Sequence, residues 1–317
     1  MKKKLLALAV AAALPMVSQA ATADVTIYGQ IHTSIDYVDP DGGDSIYDVT
    51  SRASRLGFKG SEDLGDGLKL IWKIETQVNI ADGAKEHQSY WQGRNAYIGL
   101  AGGWGTFLYG RHDTPMKMST GKLDIFGDEM GDYNATAGLV DIRANDAIAY
   151  VTPNFGGLTL VGAIVPDGDY DGDGDFAGAI SVAAMYSNGG LFLSAAYETL
   201  DDLVGGADAN HWRIGAGYDM GAFHIGAVYA DQGDLTGTDN YVINGSYKFG
   251  NNKIKAEWAQ IDPDSGSKSD AWAIGLDHNF SKRTKMYVQY ADSEHGLMGT
   301  NPGGEQSGFS FGMVHKF

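Results

Sequence analysis

The stretch HWRIGAGYDMGAFHIGAVYA, residues 211–230, carries the pattern that decides how the rest of the chain is read. On either side of Asp219-Met220-Gly221, apolar residues recur at every second position: Trp212, Ile214, Ala216 and Tyr218, then Phe223, Ile225, Ala227 and Tyr229. A period of two marks a strand with one apolar face, and two such runs across a glycine turn form an antiparallel hairpin. The following run repeats it with Tyr241, Ile243, Gly245, Tyr247 and Phe249. A soluble two-sheet sandwich would bury these rows in a shared core and would leave Lys253, Lys255 and Glu257 as an ordinary wet face. The apolar rows are thin instead, and they end in aromatics, as a band between two membrane interfaces requires.

Working outward in both directions, the same alternation predicts strands over 25–37, 52–62, 68–79, 91–101, 104–111, 143–152, 158–165, 179–186, 191–199, 211–218, 223–231, 241–249, 253–261, 271–279, 285–291 and 307–317. Their connections alternate. Short Gly/Asn/Asp turns alternate with long, mostly polar segments at 39–50, 80–90, 113–142, 166–178, 200–210, 232–240, 262–270 and 292–306. An even number of antiparallel strands with all short turns on one rim is the arrangement of an outer-membrane β-barrel, and sixteen strands enclose an aqueous channel. The fold class expected is therefore all-β: a sixteen-stranded antiparallel transmembrane barrel with short periplasmic turns and long extracellular loops.

Composition agrees. The chain has 45 glycines, 17 tyrosines, 7 prolines and no cysteine, which excludes a disulfide scaffold and any cysteine-based metal site or nucleophile. Lys2, Lys3 and Lys4, the apolar run 5–17 and small residues after it read as a secretory signal peptide over 1–23, with cleavage after Ala23 or, alternatively, after Ala20. The barrel domain then spans 24–317. The whole chain has a net charge of −17, and removing the three leader lysines makes the mature chain −20. That balance argues against a nucleic-acid partner, which needs a basic face. After the leader no apolar run approaches the roughly 20 residues of a spanning helix, so any membrane insertion is by strands.

The connection 113–142, flanked by Arg111 and Arg143, is too long for a simple turn, and long loops in compact β-domains are usually functional. It holds Asp124, Asp128, Glu129 and Asp132 together with Met116, Met118, Leu123, Ile125, Phe126 and Met130. An apolar side of that size predicts a loop that packs against something. We expect it to fold into the lumen and narrow it.

Several segments resemble the general, non-specific diffusion porins of Gram-negative outer membranes: DVTIYG at 24–29, SRLGFKGSED at 54–63, GTFLYGR at 105–111, RANDAIAY at 143–150 and VHKF at 314–317. The resemblance covers the whole mature chain. It implies a homotrimer of barrels, each with its third exterior loop folded inward as a constriction, with Asp124, Asp128, Glu129 and Asp132 at the acidic side and a basic ladder on the facing wall. Strand parity then assigns Arg55, Lys73 and Arg143 to that ladder. Arg94 belongs with them although both rows of its strand contain apolar residues, and Arg111 needs a bulge to turn inward. The terminal Phe317, with Phe309, Phe311 and Met313 at steps of two, matches the signal read by the barrel-assembly machinery; His315 departs from it. Partners implied are a second and third copy of the chain, outer-membrane lipids including lipopolysaccharide, and small hydrophilic solutes.

The function expected is passive diffusion of ions and small hydrophilic solutes, limited by size and filtered by a transverse field between acidic loop and basic wall. The acidic exterior loops predict a mild cation preference. A substrate-selective channel for a sugar or another polar nutrient is the alternative, with Tyr28 and Tyr287 as a stacking track. Asp169, Asp171 and Asp173 before Gly174 imitate the start of a calcium loop, but Ile180 stands where the closing glutamate belongs, so Ca²⁺ is a possible ligand and no other cofactor is expected. Eight histidines without metal-ligand spacing, and no phosphate loop, nucleophile elbow or dinucleotide fingerprint, speak against an enzyme.

Overall fold

One antiparallel ladder runs through the chain and closes on its own first strand. The computed structural model describes residues 24–81, 92–166, 176–204, 207–299 and 304–317. The strands are β1 (Asp24–Pro40), β2 (Ile46–Ser51), β3 (Arg55–Gly65), β4 (Leu68–Gln77), β5 (Gln92–Gly102), β6 (Gly105–Asp113), β7 (Arg143–Val151), β8 (Leu158–Val165) and β9 (Ala179–Asn188). They continue as β10 (Leu191–Val204), β11 (Ala207–Met220), β12 (Phe223–Asp231), β13 (Thr238–Phe249), β14 (Asn252–Pro263), β15 (Ser269–Asn279), β16 (Thr284–Ser293) and β17 (Gln306–Lys316). Both β2 and β3 pair with β1, the former from Thr33↔Ser51 and the latter from Gln30↔Arg55. They are one barrel strand with an extra residue at 52–54, so the closed barrel has sixteen strands. Closure by β1 against β17, from Gln30↔Lys316 to Pro40↔Gln306, leaves no free sheet edge among the described residues.

Alternation sorts the side chains as the sequence requires. Val25, Ile27, Ile31 and Ile35 of β1 are exposed on the outer face, whereas Gln30, His32, Ser34 and Asp36 are buried inside. Outer-face aromatics form two girdles. Trp212, Tyr229 and Tyr241 touch in succession, with centroids 5.1 Å apart at both steps, towards the long-loop rim. Phe223, Tyr247 and Phe249 do so near the short turns, at 4.5 and 5.9 Å. Such belts place amphipathic rings at the two interfaces of a bilayer.

Three expectations need correction. Residues 46–51 are strand rather than loop, because the inserted residue at 52–54 interrupts the alternation without ending the pairing. The connection expected at 200–210 is largely strand, since β10 and β11 run on to Val204 and from Ala207. The 232–240 connection contains a helical turn, α3 (Gly233–Thr236). The residues 1–23, proposed as a leader, and Asp169, Asp171 and Asp173 lie outside the described residues.

Aromatic rings packed on glycines fix the inner wall where β1, β3, β16 and β17 meet. A Cβ at Gly312 would sit 2.1 Å from Tyr287 Cζ, and one at Gly57 would sit 2.3 Å from Tyr28 Cζ. Both rings lie across the neighbouring strand in space a side chain would need. Tyr287 is further fixed by a 3.0 Å hydrogen bond between its hydroxyl and His32 Nε2. Gly312→Val should therefore destabilise the barrel by about 2 kcal/mol, the usual scale of overpacking, read as a lower midpoint in heat-induced loss of the folded form on gels.

Candidate functional site

The segment between β6 and β7 enters the barrel. Pro115 opens a short helix, α1 (Pro115–Thr120), with Thr114 as its N-cap, and Asp132 caps a second, α2 (Tyr133–Thr136). Most of its apolar residues are buried against the inner wall of β9 to β16 and of β1. Met116 packs on Ala183 and Ala196; Leu123, Tyr133, Ala137 and Leu139 pack on Phe192, Val228, Ala230, Val242, Ala259 and Ala271; Phe126 and Met130 pack on Val38, Ala273, Ala291 and Leu297. Alanines on the inner rows make the room.

Polar wall side chains hold the loop's backbone in place. Asn244 Nδ2 donates to Leu123 O at 2.7 Å, Lys255 Nζ to Ile125 O at 3.2 Å, Asn240 Nδ2 to Ala137 O at 2.6 Å, and Arg213 Nη2 to Val140 O at 2.9 Å. Gln232 both donates to Gly138 O and accepts from Val140 N. Arg213, wholly buried, also bonds Asp141 at 2.7 Å and Thr120 at 3.0 Å.

The four acids between 124 and 132 serve different purposes. Glu129 is 1 % exposed and lies beneath the loop, with Oε2 2.7 Å from Lys255 Nζ and Oε1 2.7 Å from Lys285 Nζ. Asp124 Oδ1 accepts from Phe126 N and Gly127 N, closing the turn at the tip. Asp132 accepts from Asp128 N at 2.6 Å and from Asn134 N at 2.8 Å. Asp128 remains: its side chain is 47 % exposed and reaches across to Arg55 at 3.7 Å. Its positive φ of 62° is a conformation aspartate tolerates better than most residues, and it turns the tip away from the wall that Glu129 grips. Thus Glu129 does not face the basic wall, because burial of a carboxylate there demands the two lysines behind it.

The facing wall carries a connected polar ladder. Arg143 Nε lies 2.8 Å from Asp113 Oδ1 and from Asn95 Oδ1. Arg94 Nε lies 2.7 Å from Glu75 Oε1, and Lys73 Nζ 3.2 Å from Glu75 Oε2. Tyr28 donates to the same carboxylate at 2.7 Å, with the ammonium groups of Lys59 and Lys73 at 5.2 and 5.7 Å from its ring. A register offset in β5, where Arg94 and Asn95 together oppose Glu75, turns Arg94 inward. Arg111 stands apart. The offset beside it lies in β7, its guanidinium bonds Gly93 O and Asn145, and it makes no ion pair among the described residues. Tyr287, 2 % exposed, offers no open stacking face, and one side of the half-buried Tyr28 ring lies on Gly57.

A family model described as Gram-negative porin matches residues 7–296. The chain belongs to the Gram-negative porins. It is 32% identical to the major outer membrane protein P.IB of Neisseria meningitidis serogroup B, and 32% identical to the outer membrane porin protein 32 of Delftia acidovorans, over the full length of both partners in each case. The solved structure of an anion-selective porin from Comamonas acidovorans superposes with a TM-score of 0.80 at 28% identity, covering 93% of this chain and 100% of the other. This porin is an outer-membrane channel formed by a closed sixteen-stranded barrel.

The residues that tether the loop, Arg213, Lys255, Lys285, Gln232, Asn240 and Asn244, were not singled out from sequence, nor were Lys59, Glu75 and Asp113. Parity held the signal for most: Arg213 stands opposite Trp212 and Ile214, Lys255 opposite Ile254, and Lys59 opposite Phe58. A polar residue on the lumen row of a strand gives no hint of which distant loop it meets.

Replacing Glu129 by Gln leaves Lys255 buried with Asp277 as its remaining carboxylate, 3.2 Å away. Glu129→Gln should lower stability by about 3 kcal/mol in chemical denaturation and add loop-motion noise to single-channel traces, while Asp128→Asn changes neither. Burial also pushes the Asp132 carboxyl up to about 6, against the two amide hydrogen bonds it accepts, and burial with the charge of Asp132 pushes Asp124 well above its ordinary value. For an acid raised in the folded state, the stability contribution is full below pH ~4 and is lost as pH rises through about 6. From pH 7 to pH 5 Asp132 loses its charge, so anion preference should rise in bilayer reversal potentials, and Asp132→Asn should remove that part of the change.

Proposed function

We propose that the porin passes small hydrophilic solutes by passive diffusion through the gap between Asp128 and the ladder of Arg55, Lys59, Lys73, Arg94 and Arg143, and that this gap favours anions. One observation carries the reading: of the four acids between 124 and 132, Asp128 alone has its carboxylate in contact with the facing ladder among the described residues, whereas Glu129 is neutralised behind the loop. Glu75 and Asp113 offset part of the wall's charge and hold Arg94, Lys73 and Arg143 in fixed positions. The surplus is positive. It sits in a narrow space bounded by low-dielectric protein, where a local charge outweighs the acidic exterior loops in deciding which ion enters. The cation preference expected from net charge gives way to this local argument, and the likeness to an anion-selective porin from Comamonas acidovorans supports it. Transport of this kind needs no bond to be made or broken, so no catalytic role is assigned.

The remaining roles follow the family. We assign Phe317, exposed on the outer face with its backbone paired to Gly29, to recognition by the assembly machinery. Residues 1–23 are assigned to export, and the exposed Val25 and Ile27 to contact between three copies within lipopolysaccharide-containing membrane.

Reversal potentials in planar bilayers under a KCl gradient test the selectivity. Arg94→Gln with Arg143→Gln should shift the permeability ratio toward cations by about threefold per charge, the effect of roughly one kT of potential in a cleft. Asp128→Asn should shift it toward anions, with Asp124→Asn nearly silent. A cation-selective channel indifferent to the arginine substitutions would refute the assignment.

A further inference from the structure

We propose that the short-turn mouth of the porin holds a binding site for soluble phosphate-bearing anions, built from Lys248, Lys253, Lys282, Arg283 and Lys316. A cavity of about 340 Å³ opens there between the β13–β14 turn, the β15–β16 turn and the end of β17. These five cations and Lys285 line it, with Asp277 as the one acid. In a chain of net charge −17 this is a local reversal of sign.

The single acid is already committed. Asp277 is buried, with Oδ1 3.2 Å from Lys255 and Oδ2 3.3 and 3.5 Å from Lys285 and Lys253. Lys285 is further held by Glu129. Lys248, Lys282, Arg283 and Lys316 make no ion pair among the described residues and are exposed. Four cations around one cavity therefore have no side-chain carboxylate within ion-pair distance among the described residues.

Their placement selects the ligand. By parity Lys248 and Lys316 continue the lumen rows of Asn244 and Val314, so the site lies on the path of solutes rather than on the lipid face. Ser281 Oγ accepts from Arg283 N and Thr284 N, which leaves its hydroxyl hydrogen to donate, and Asn279 and Asn252 stand beside it. Several cations converging with neutral donors suit an anion with more than one charge and several acceptor oxygens, as in pyrophosphate or a phosphate ester, over a halide. In outer-membrane barrels this rim faces the periplasm. An anion that has cleared the constriction meets this site next.

Isothermal titration of sodium pyrophosphate into the purified, unheated porin in low-salt detergent tests the site. Lys248→Gln with Lys316→Gln, and separately Lys282→Gln with Arg283→Gln, should each weaken binding about tenfold, since each removes two charge-assisted contacts. Arg55→Gln with Arg143→Gln should leave it unchanged. All these side chains are at least partly exposed, and retention of the heat-modifiable band confirms folding. Absence of saturable binding, unchanged affinity in both mouth variants, or loss confined to the Arg55/Arg143 variant would overturn the proposal. Loss confined to the Lys282/Arg283 variant, with competition by short-chain phosphatidylglycerol, would assign those two residues to a lipid headgroup and overturn it too. Reversal potentials read the constriction independently, so selectivity there and binding here fail separately.

Discussion

The lumen's organisation depends on a buried carboxylate held between two ammonium groups: Glu129 between Lys255 and Lys285. Bringing these charges out of water is costly, and the ion pairs roughly offset that cost rather than supply the loop's stability. The apolar contacts do that: Phe126 and Met130 on Val38, Ala273, Ala291 and Leu297, with Leu123 and Tyr133 on the wall beside them. What the charged cluster contributes is position. An apolar loop sliding over an alanine-lined wall has many nearly equal registers, but a carboxylate inside a dry interior has few places where two lysines meet it. Fixing Glu129 fixes its chain neighbour Asp128 on the opposite side of the loop.

This division underlies the proposal that a strongly acidic protein presents a basic gap. Charges are sorted by depth. Apart from Asp128, carboxylates in the loop are consumed by its own capping or by the wall behind it, while those on the far wall, Glu75 and Asp113, are each shared with arginine. Net charge is a sum over the molecule, but permeation responds to the charges that remain uncompensated where the path is narrowest. Those are predominantly cationic.

Much of the barrel was legible in the sequence because its physics is local: a period of two, glycine turns and aromatic row ends such as Trp212 and Phe249 need no knowledge of distant residues. The inward fold of the 113–142 segment was also legible, since Met116, Phe126 and Met130 demand burial. The roles of individual acids were not. Asp124 and Glu129 look alike in a string of letters, and what separates them is whether a lysine far along the chain lies within reach, as Lys255 does for Glu129 across 126 positions. Arg94 shows the same limit on a smaller scale, because its direction depends on a register offset against β4 that leaves no mark in its own strand. The helical turns α1 and α2 were likewise invisible, being only a few residues long and held by capping and by the wall.

The offsets themselves have a consequence for how such channels diversify. Among the register offsets of the barrel, those at 52–54, at Arg94-Asn95 in β5 and at Asn145-Asp146 in β7 fall on the half of the cylinder that carries the guanidinium groups of the ladder. Each offset lets two neighbouring side chains crowd one face, so charge density inside exceeds what strict pleating allows. Because hydrogen bonding resumes on both sides, gaining or losing one residue at these points rotates a single side chain between water and lipid while the hoop stays closed. Ionic character is thereby separated from architecture: a lineage can retune what its membrane admits by editing length at three places, without touching the staves that bear the load.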